Sequence, residues 1–241
     1  MVDILAIGAH PDDCEIFMGG SLLYWKQMGK TLAVCDLTGG ELGTYGSEEI
    51  RKAELNRAKE LMGLELRHTL DIPDGHIRNN QENQLKLIEI IRKLRPEVIF
   101  SHSDRLIRHP DHRHCGELVK ESAFLSGIEK IKTQSPHFRP SALIEFPELT
   151  IDKKPDFVID ISDFWEQKVE LIRCYGTQVT LAGEDDKKTK TLLRSNAFWD
   201  ILKARSVQAG AMIGVQYGEP FYSRNPLRIE DPLTVFKRGL K

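Results

Sequence analysis

Histidine and aspartate recur together in two short runs, Ala9-His10-Pro11-Asp12-Asp13 and Arg108-His109-Pro110-Asp111-His112, about a hundred residues apart. Imidazoles and carboxylates in this mixture suit a divalent cation bound by three protein donors, with one position kept for a reactant. His10, Asp13 and His112 make such a set. Asp12, next to the ligand pair, could take a proton from water acidified by the cation, and His109 could give one to a leaving nitrogen. Asp111 is the nearest carboxylate to orient His109 and favour its imidazolium. An acid and a base on opposite sides of a scissile bond are the requirements of hydrolysis. Single histidines carry less information: His68, His76, His102, His114 and His137 read more simply as capping or surface groups.

The two runs can share an ion only if the fold brings them together. Each follows an apolar stretch, residues 4–8 and 98–101, that reads as a buried strand. In an open α/β sheet the carboxyl ends of parallel strands line one crevice, so residues distant in sequence meet there. Further strands are expected over 31–37, 67–72, 142–146 and 157–161. Helices are expected after the first run up to Gly29, over 48–62 between the cap Ser47 and Gly63, over 85–94 ahead of Pro96, from Pro110, over 162–175, and finally through Ala204. Residues 183–188 read as a polar loop. Alternating strands and helices predict an α/β, Rossmann-like fold with a mainly parallel sheet, helices on both faces and a C-terminal α+β extension. We expect a single domain over 1–241, with the core in 1–130 and the extension in 131–241.

Composition narrows the function classes. The formal charge of −2 gives no reason to expect nucleic acid as a partner, and the short apolar run at the N-terminus supports neither a signal peptide nor a membrane span, so a cytoplasmic location is expected. The four cysteines are widely spaced without a Cys-x-x-Cys pair, which argues against a disulfide framework or a thiolate zinc knot. Cys14 and Cys115 lie close to proposed ligands, but a small buried hydrophobe is the simpler reading. The stretch Gly39 to Gly46 lacks the spacing of a phosphate loop, so a substrate-covering loop or a turn is expected. Arg51, at the start of the following helix, could reach the crevice and bind a hydroxyl or carboxylate of the substrate, and Arg108 could act similarly; each could equally be a solvated charge. The alternation of strands and helices alone would also suit a nucleotide-binding protein, although the phosphate loop is missing.

With Ala9-His10-Pro11-Asp12-Asp13 and Glu15, Arg51-Lys52-x-Glu54 and His109-Pro110-Asp111-His112, the chain resembles the LmbE-like, PIG-L type N-acetylglucosamine de-N-acetylases. The resemblance extends to Phe157–Ile161, Ser162 and the helix with Lys168 and Tyr175. It implies a zinc hydrolase that removes acetate from an N-acetylglucosamine unit, with His10, Asp13 and His112 as ligands, Asp12 as base, His109 as acid supported by Asp111, and Arg51 as a substrate contact. Iron(II) or another divalent ion also suits such a set. Cys35-Asp36-Leu37-Thr38 and Lys154-Pro155-x-Phe157-x-Ile159-Asp160-Ile161-Ser162 are most similar to the bacillithiol-biosynthesis subgroup, which implies N-acetylglucosaminyl malate as substrate, Arg51 and Arg108 facing its carboxylates, and a homo-oligomer. Another thiol-sugar amide, a lipid-linked sugar, or non-catalytic sugar or metal binding are the alternatives. Some family members use a C-terminal tyrosine at the oxyanion. Phe198 and Trp199 occupy the comparable helix here, which leaves the oxyanion to zinc and His109, or to Tyr217 or Tyr222 from another segment, with the role unassigned.

Overall fold

The computed structural model describes residues 1–105, 108–180 and 191–235. Strands β1 (Ile4–Gly8) and β2 (Leu32–Asp36) are buried at every position, as expected of parallel strands covered on both faces. They join β3 (Leu66–Thr69), β4 (Val98–His102), β5 (Ala142–Phe146), β6 (Phe157–Asp160) and β7 (Gly218–Ser223) in one sheet of order β3-β2-β1-β4-β5-β7-β6. β1 to β5 run parallel, and β7 is antiparallel to both β5 and β6. The mixed α/β architecture with a mainly parallel sheet matches the expected class. Alternation along β1 sends Ile4 and Ala6 into one apolar layer and Leu5 and Ile7 into the other, so each face has its own core.

The helices are α1 (Asp13–Gln27), α2 (Glu48–Met62), α3 (Gln81–Leu94), α4 (Pro110–Leu125), α5 (Trp165–Arg173), α6 (Asn196–Ile213) and the short α7 (Pro232–Val235). Local signals set most of their ends. The Ser47 hydroxyl accepts from Ile50 N at 3.4 Å, and Gly63 closes α2 at φ +64°, a left-handed conformation that glycine adopts without penalty. α3 starts four residues before the expected Leu85, because the Asn80 side chain accepts from Asn83 N at 2.9 Å and caps an extra turn. The helix expected over 162–175 is a 3₁₀ turn, Ser162–Phe164, followed by α5. α6 continues past Ala204 until Gly214, at φ +76°. The loop expected at 183–188 lies outside the described residues. β7 has no counterpart among the expected strands. Gly218 and Pro220 read as a turn, yet their segment completes the sheet between β5 and β6, with Pro220 paired to Val158.

Behind the sheet ends, α1 breaks at Met18 (φ −145°, ψ 18°), which frees amides in mid-helix. Glu219 of β7 accepts two of them, Gly20 N at 3.0 Å and Ser21 N at 2.7 Å, and also accepts from Lys168 Nζ at 2.6 Å. Both charged side chains are completely buried. We expect Glu219→Ala to cost about 3–5 kcal/mol, since it strands a buried ammonium and two amides together. Denaturant unfolding would measure it; a loss under about 1 kcal/mol would show that this pair does not hold the break.

Candidate active site

β1 is the strand at which chain order reverses: β2 and β3 follow on one side and β4 returns on the other. A crevice opens at the carboxyl ends of strands at such a point. Here it is a cavity of ≈ 280 Å³ lined by residues from both runs, including His10, Asp12, Asp13, His109 and His112. Asp12 occupies the N-cap position of α1 with φ 120° and makes no side-chain cap bond, so its carboxylate is left for the cavity. A non-glycine residue held in this region stores backbone strain, which concentrates at functional positions. Across the cavity, His109 is the N-cap of α4 and Pro110 its first residue, which sets the imidazoles of His109 and His112 on one end of the helix.

Asp13 is the hub. Its Oδ1 lies 3.2 Å from His112 Nε2, and its Oδ2 lies 3.5 Å from His10 Nδ1 and 3.0 Å from His102 Nε2. The backbone N–H of His10 donates to the same Oδ2 at 2.8 Å. In a tetrahedral site with bonds of about 2.0–2.1 Å, donor atoms stand about 3.3–3.4 Å apart, and each imidazole approaches a different oxygen of Asp13 at a comparable distance, the three ligand atoms lying within 4.8 Å of one another. His10, Asp13 and His112 therefore form a possible metal site; His10, His109 and Asp111 also lie close enough for one. The first set has the better support. The far nitrogens of its two imidazoles meet carboxylates, His10 Nε2 at Asp74 Oδ1 (3.0 Å) and His112 Nδ1 at Glu148 Oε1 (3.1 Å), the usual backing that orients metal-binding histidines.

Charge is tightly balanced. Burial opposes ionisation of Asp13, but the imidazoles of His112 and His102 hold it well below the usual carboxylate range. Burial also opposes the charging of His10, yet Asp111, Asp13 and Asp74 raise it well above an ordinary histidine. His102 is pushed down to about 4 by burial and by His112, so it is neutral at pH 7. Asp12 is driven up to about 7 by burial and the Asp13 charge, with Arg51 and His10 pulling the other way. Burial, together with His10 and His112, lowers His109.

Most of the expected residues gather here, with three corrections of detail. The Asp111 carboxylate accepts from Gly75 N at 2.7 Å and faces His10 Nε2 at 3.5 Å; His109 Nδ1 instead accepts from the Asp111 backbone N–H at 3.2 Å. The helix start imposes this, because the N-cap side chain turns back onto the free amides of the first turn. This leaves Nε2 as the ring nitrogen that can donate into the cavity, while the Asp111 charge favours the imidazolium only against the larger effects of burial, His10 and His112. Tyr217 and Tyr222 are both away from the cavity, one stacked on Trp165 and the other donating to Asp152 Oδ1 and Lys153 O, while Phe198 belongs to the core and Trp199 Nε1 donates to Thr180 O. The thiols of Cys14 and Cys115 are buried and raised, with Cys115 beside Ser101 Oγ.

The two arginines differ. Arg51 is only 6% exposed, lines the cavity, and its Nε has no hydrogen-bond partner among the described residues. A Cβ at Gly40 (φ +68°) or Gly43 would overlap its guanidinium, so the glycine loop is a cradle for this side chain. Arg108 lines the same cavity half-exposed, 3.7 Å from Glu148 Oε2. Three site residues, Asp74, His102 and Glu148, escaped the sequence reading. His102 ends β4, and the other two lie a few residues beyond the carboxyl ends of β3 and β5. The position rule that pointed to the two runs would have pointed to these as well.

An α/β sheet carries a possible His-Asp-His metal site and a buried aspartate at its switch point, and the chain belongs to the PIG-L family, described as GlcNAc-PI de-N-acetylase, which it matches over residues 5–123. It is 31% identical over 192 residues to the diacetylchitobiose deacetylase of Thermococcus kodakarensis, covering 73% of this chain and 69% of that one. The probable N-acetyl-alpha-D-glucosaminyl L-malate deacetylase 2 of Bacillus anthracis is 25% identical over 187 residues, covering 73% and 80%. Among solved structures, the conserved protein TT1542 of Thermus thermophilus superposes with a TM-score of 0.85 at 32% identity, over 95% of this chain and 97% of that one. The matched relatives are mostly deacetylases of N-acetylglucosamine-type compounds, and a 4-oxalmesaconate hydratase of Pseudomonas putida, 24% identical over 190 residues, is among them. Among the described residues no helix is long and apolar enough to cross a membrane.

Proposed function

We propose that the protein hydrolyses the acetamide of an N-acetylglucosaminide, releasing acetate and the free amine, and that its substrate is N-acetylglucosaminyl malate. A divalent cation, with zinc first and iron(II) second, held by His10, Asp13 and His112 would polarise the amide carbonyl and acidify the attacking water. Asp12 accepts the proton of that water. His109, with Nε2–H as its free donor, hydrogen-bonds the reacting amide, and the proton taken up by Asp12 passes to the nitrogen, which leaves as the amine when the C–N bond breaks. The observation that carries the acetamide reading is the buried Asp12 carboxylate beside the His10, Asp13 and His112 donors, which lie close enough to share an ion.

Arg51 supports the choice of an anionic aglycone. The Arg51 guanidinium is buried, acts on Asp12 by its charge, and has an Nε–H without a hydrogen-bond partner among the described residues, so it keeps a donor for a carboxylate or comparable anion. Arg108 adds a second positive charge at the cavity mouth. Metal-loaded protein should release acetate from N-acetylglucosaminyl malate and, less efficiently, from uncharged N,N'-diacetylchitobiose. Arg51→Ala should raise KM for the malate conjugate about 10- to 100-fold, the value of a charged hydrogen bond, and change the uncharged substrate far less. Equal losses on both substrates would remove the malate assignment. No acetate from either, at full metal content, would remove the deacetylase proposal.

A further inference from the structure

The turn after β3 touches every part of the site. The Asp74 carboxylate places Oδ1 3.0 Å from His10 Nε2, and its Oδ2 accepts from Leu42 N at 3.0 Å. The Asp74 backbone N–H donates to Glu41 Oε1 at 2.6 Å, and Gly75 N donates to Asp111 Oδ2 at 2.7 Å. Gly75 has φ +73°, and a Cβ there would stand 3.0 Å from Leu42 Cδ1, so the glycine lets the two loops approach. One carboxylate thus grips an expected metal ligand with one oxygen and the glycine loop with the other. That loop is the one that cradles Arg51.

We infer that Asp74 is a positioning residue that couples metal binding to the order of the loop spanning residues 39–46. Its Oδ1 turns Nδ1 of His10 toward the cation position by engaging Nε2; its Oδ2 pins Leu42 and, through the loop, the cradle of Arg51. When His10 is fixed by a cation, Asp74 is fixed in turn, and the Leu42 amide is held more of the time. By linkage, the factor by which a bound cation favours the ordered loop is the factor by which the ordered loop favours the cation, so loosening the loop weakens metal binding by at most that factor. The substrate-facing arginine therefore takes up its place in step with the metal centre. This coupling rests on the metal-site reading above.

The test reads zinc affinity and loop exchange, independently of turnover. In the unmodified protein, zinc should slow hydrogen exchange of the Leu42 amide several-fold. Asp74→Asn keeps the size of the side chain but faces one of its two donors with an NH₂ group. It should bind zinc about 10- to 100-fold more weakly in competition with a chromophoric chelator, the usual cost of losing such a backing group. It should also lose the zinc dependence of Leu42 exchange. Glu41→Gln, which leaves the Asp74–His10 contact intact, should speed Leu42 exchange and weaken zinc by a smaller factor in the same direction. If Asp74→Asn keeps both zinc affinity and zinc-dependent protection while the unmodified protein binds zinc and releases acetate, the coupling is wrong and the deacetylase reading stands. A Glu41→Gln loop that loosens with no change in zinc affinity also overturns the coupling. If the unmodified protein binds no divalent ion, the metal site and the coupling fall together.

Discussion

Replacing Asp12 by asparagine is expected to lower kcat at least about 10²-fold, and up to about 10⁴-fold, with zinc content unchanged. Asparagine is the informative substitution because it tolerates positive φ, so the backbone at 120° survives and only the basic oxygen is lost. The pH profile carries a second signature. Burial and the neighbouring Asp13 charge raise Asp12 to about 7 in the metal-free site, with Arg51 and His10 opposing. A base works as the carboxylate, so kcat/KM should rise with pH through the Asp12 titration and level off above it. A cation bound nearby favours the carboxylate and moves that break below 7. In the asparagine variant the acid limb should vanish. Activity within tenfold of the original, or an unchanged acid limb, would reassign the base.

A larger change is expected from Asp13→Ala, which should abolish stable metal binding. Three imidazoles, those of His10, His102 and His112, converge on this carboxylate, and the His10 amide donates to it. Its removal takes away one of three donors and the negative charge that balances the cluster. If the binding free energy of a structural zinc, about 10–16 kcal/mol, divides over four ligands, one ligand accounts for about 3 kcal/mol. Zinc affinity should then fall by at least about 10²-fold, and turnover should fall to background at limiting zinc. Dialysis against a chelator followed by metal analysis checks this. A variant that still retains one zinc per chain would show that Asp13 is not a ligand and would move the site to His10, His109 and Asp111, the other group that could hold an ion.

The two predictions differ in what they separate. Asp12→Asn leaves the ion and removes the proton acceptor, whereas Asp13→Ala removes the ion and leaves Asp12 in place. The contact at His109 adds a constraint. Because its Nδ1 accepts from the Asp111 amide, its Nε2 is the ring nitrogen that can donate a hydrogen bond into the cavity. Asp111 then works mainly on the turn at Gly75 and on His10.

Much of this protein was legible in its sequence wherever the determining interactions are short-range. The apolar runs of β1, β2 and β4 announced buried parallel strands, and Ser47 with Gly63 marked both ends of α2 to the residue. The two His-Pro-Asp runs were legible because each gathers three candidates within four residues, His10, Asp12 and Asp13 in one and His109, Asp111 and His112 in the other. What only the tertiary structure decided involves partners from different strands. β7 was hidden because the cost of Pro220 and Gly218 is local, while the gain of closing the sheet between β5 and β6 is not. Asp74, His102 and Glu148 have ordinary neighbours in sequence and acquire roles when β3, β4 and β5 end beside β1. Arg51 reads equally as a substrate contact or a solvated helix charge until the glycine loop folds over it. Residue types and their local spacing determined which chemistry this chain could carry; the order of the strands, set by burial on both faces of the sheet, decided which donors meet and which charges are left without a partner.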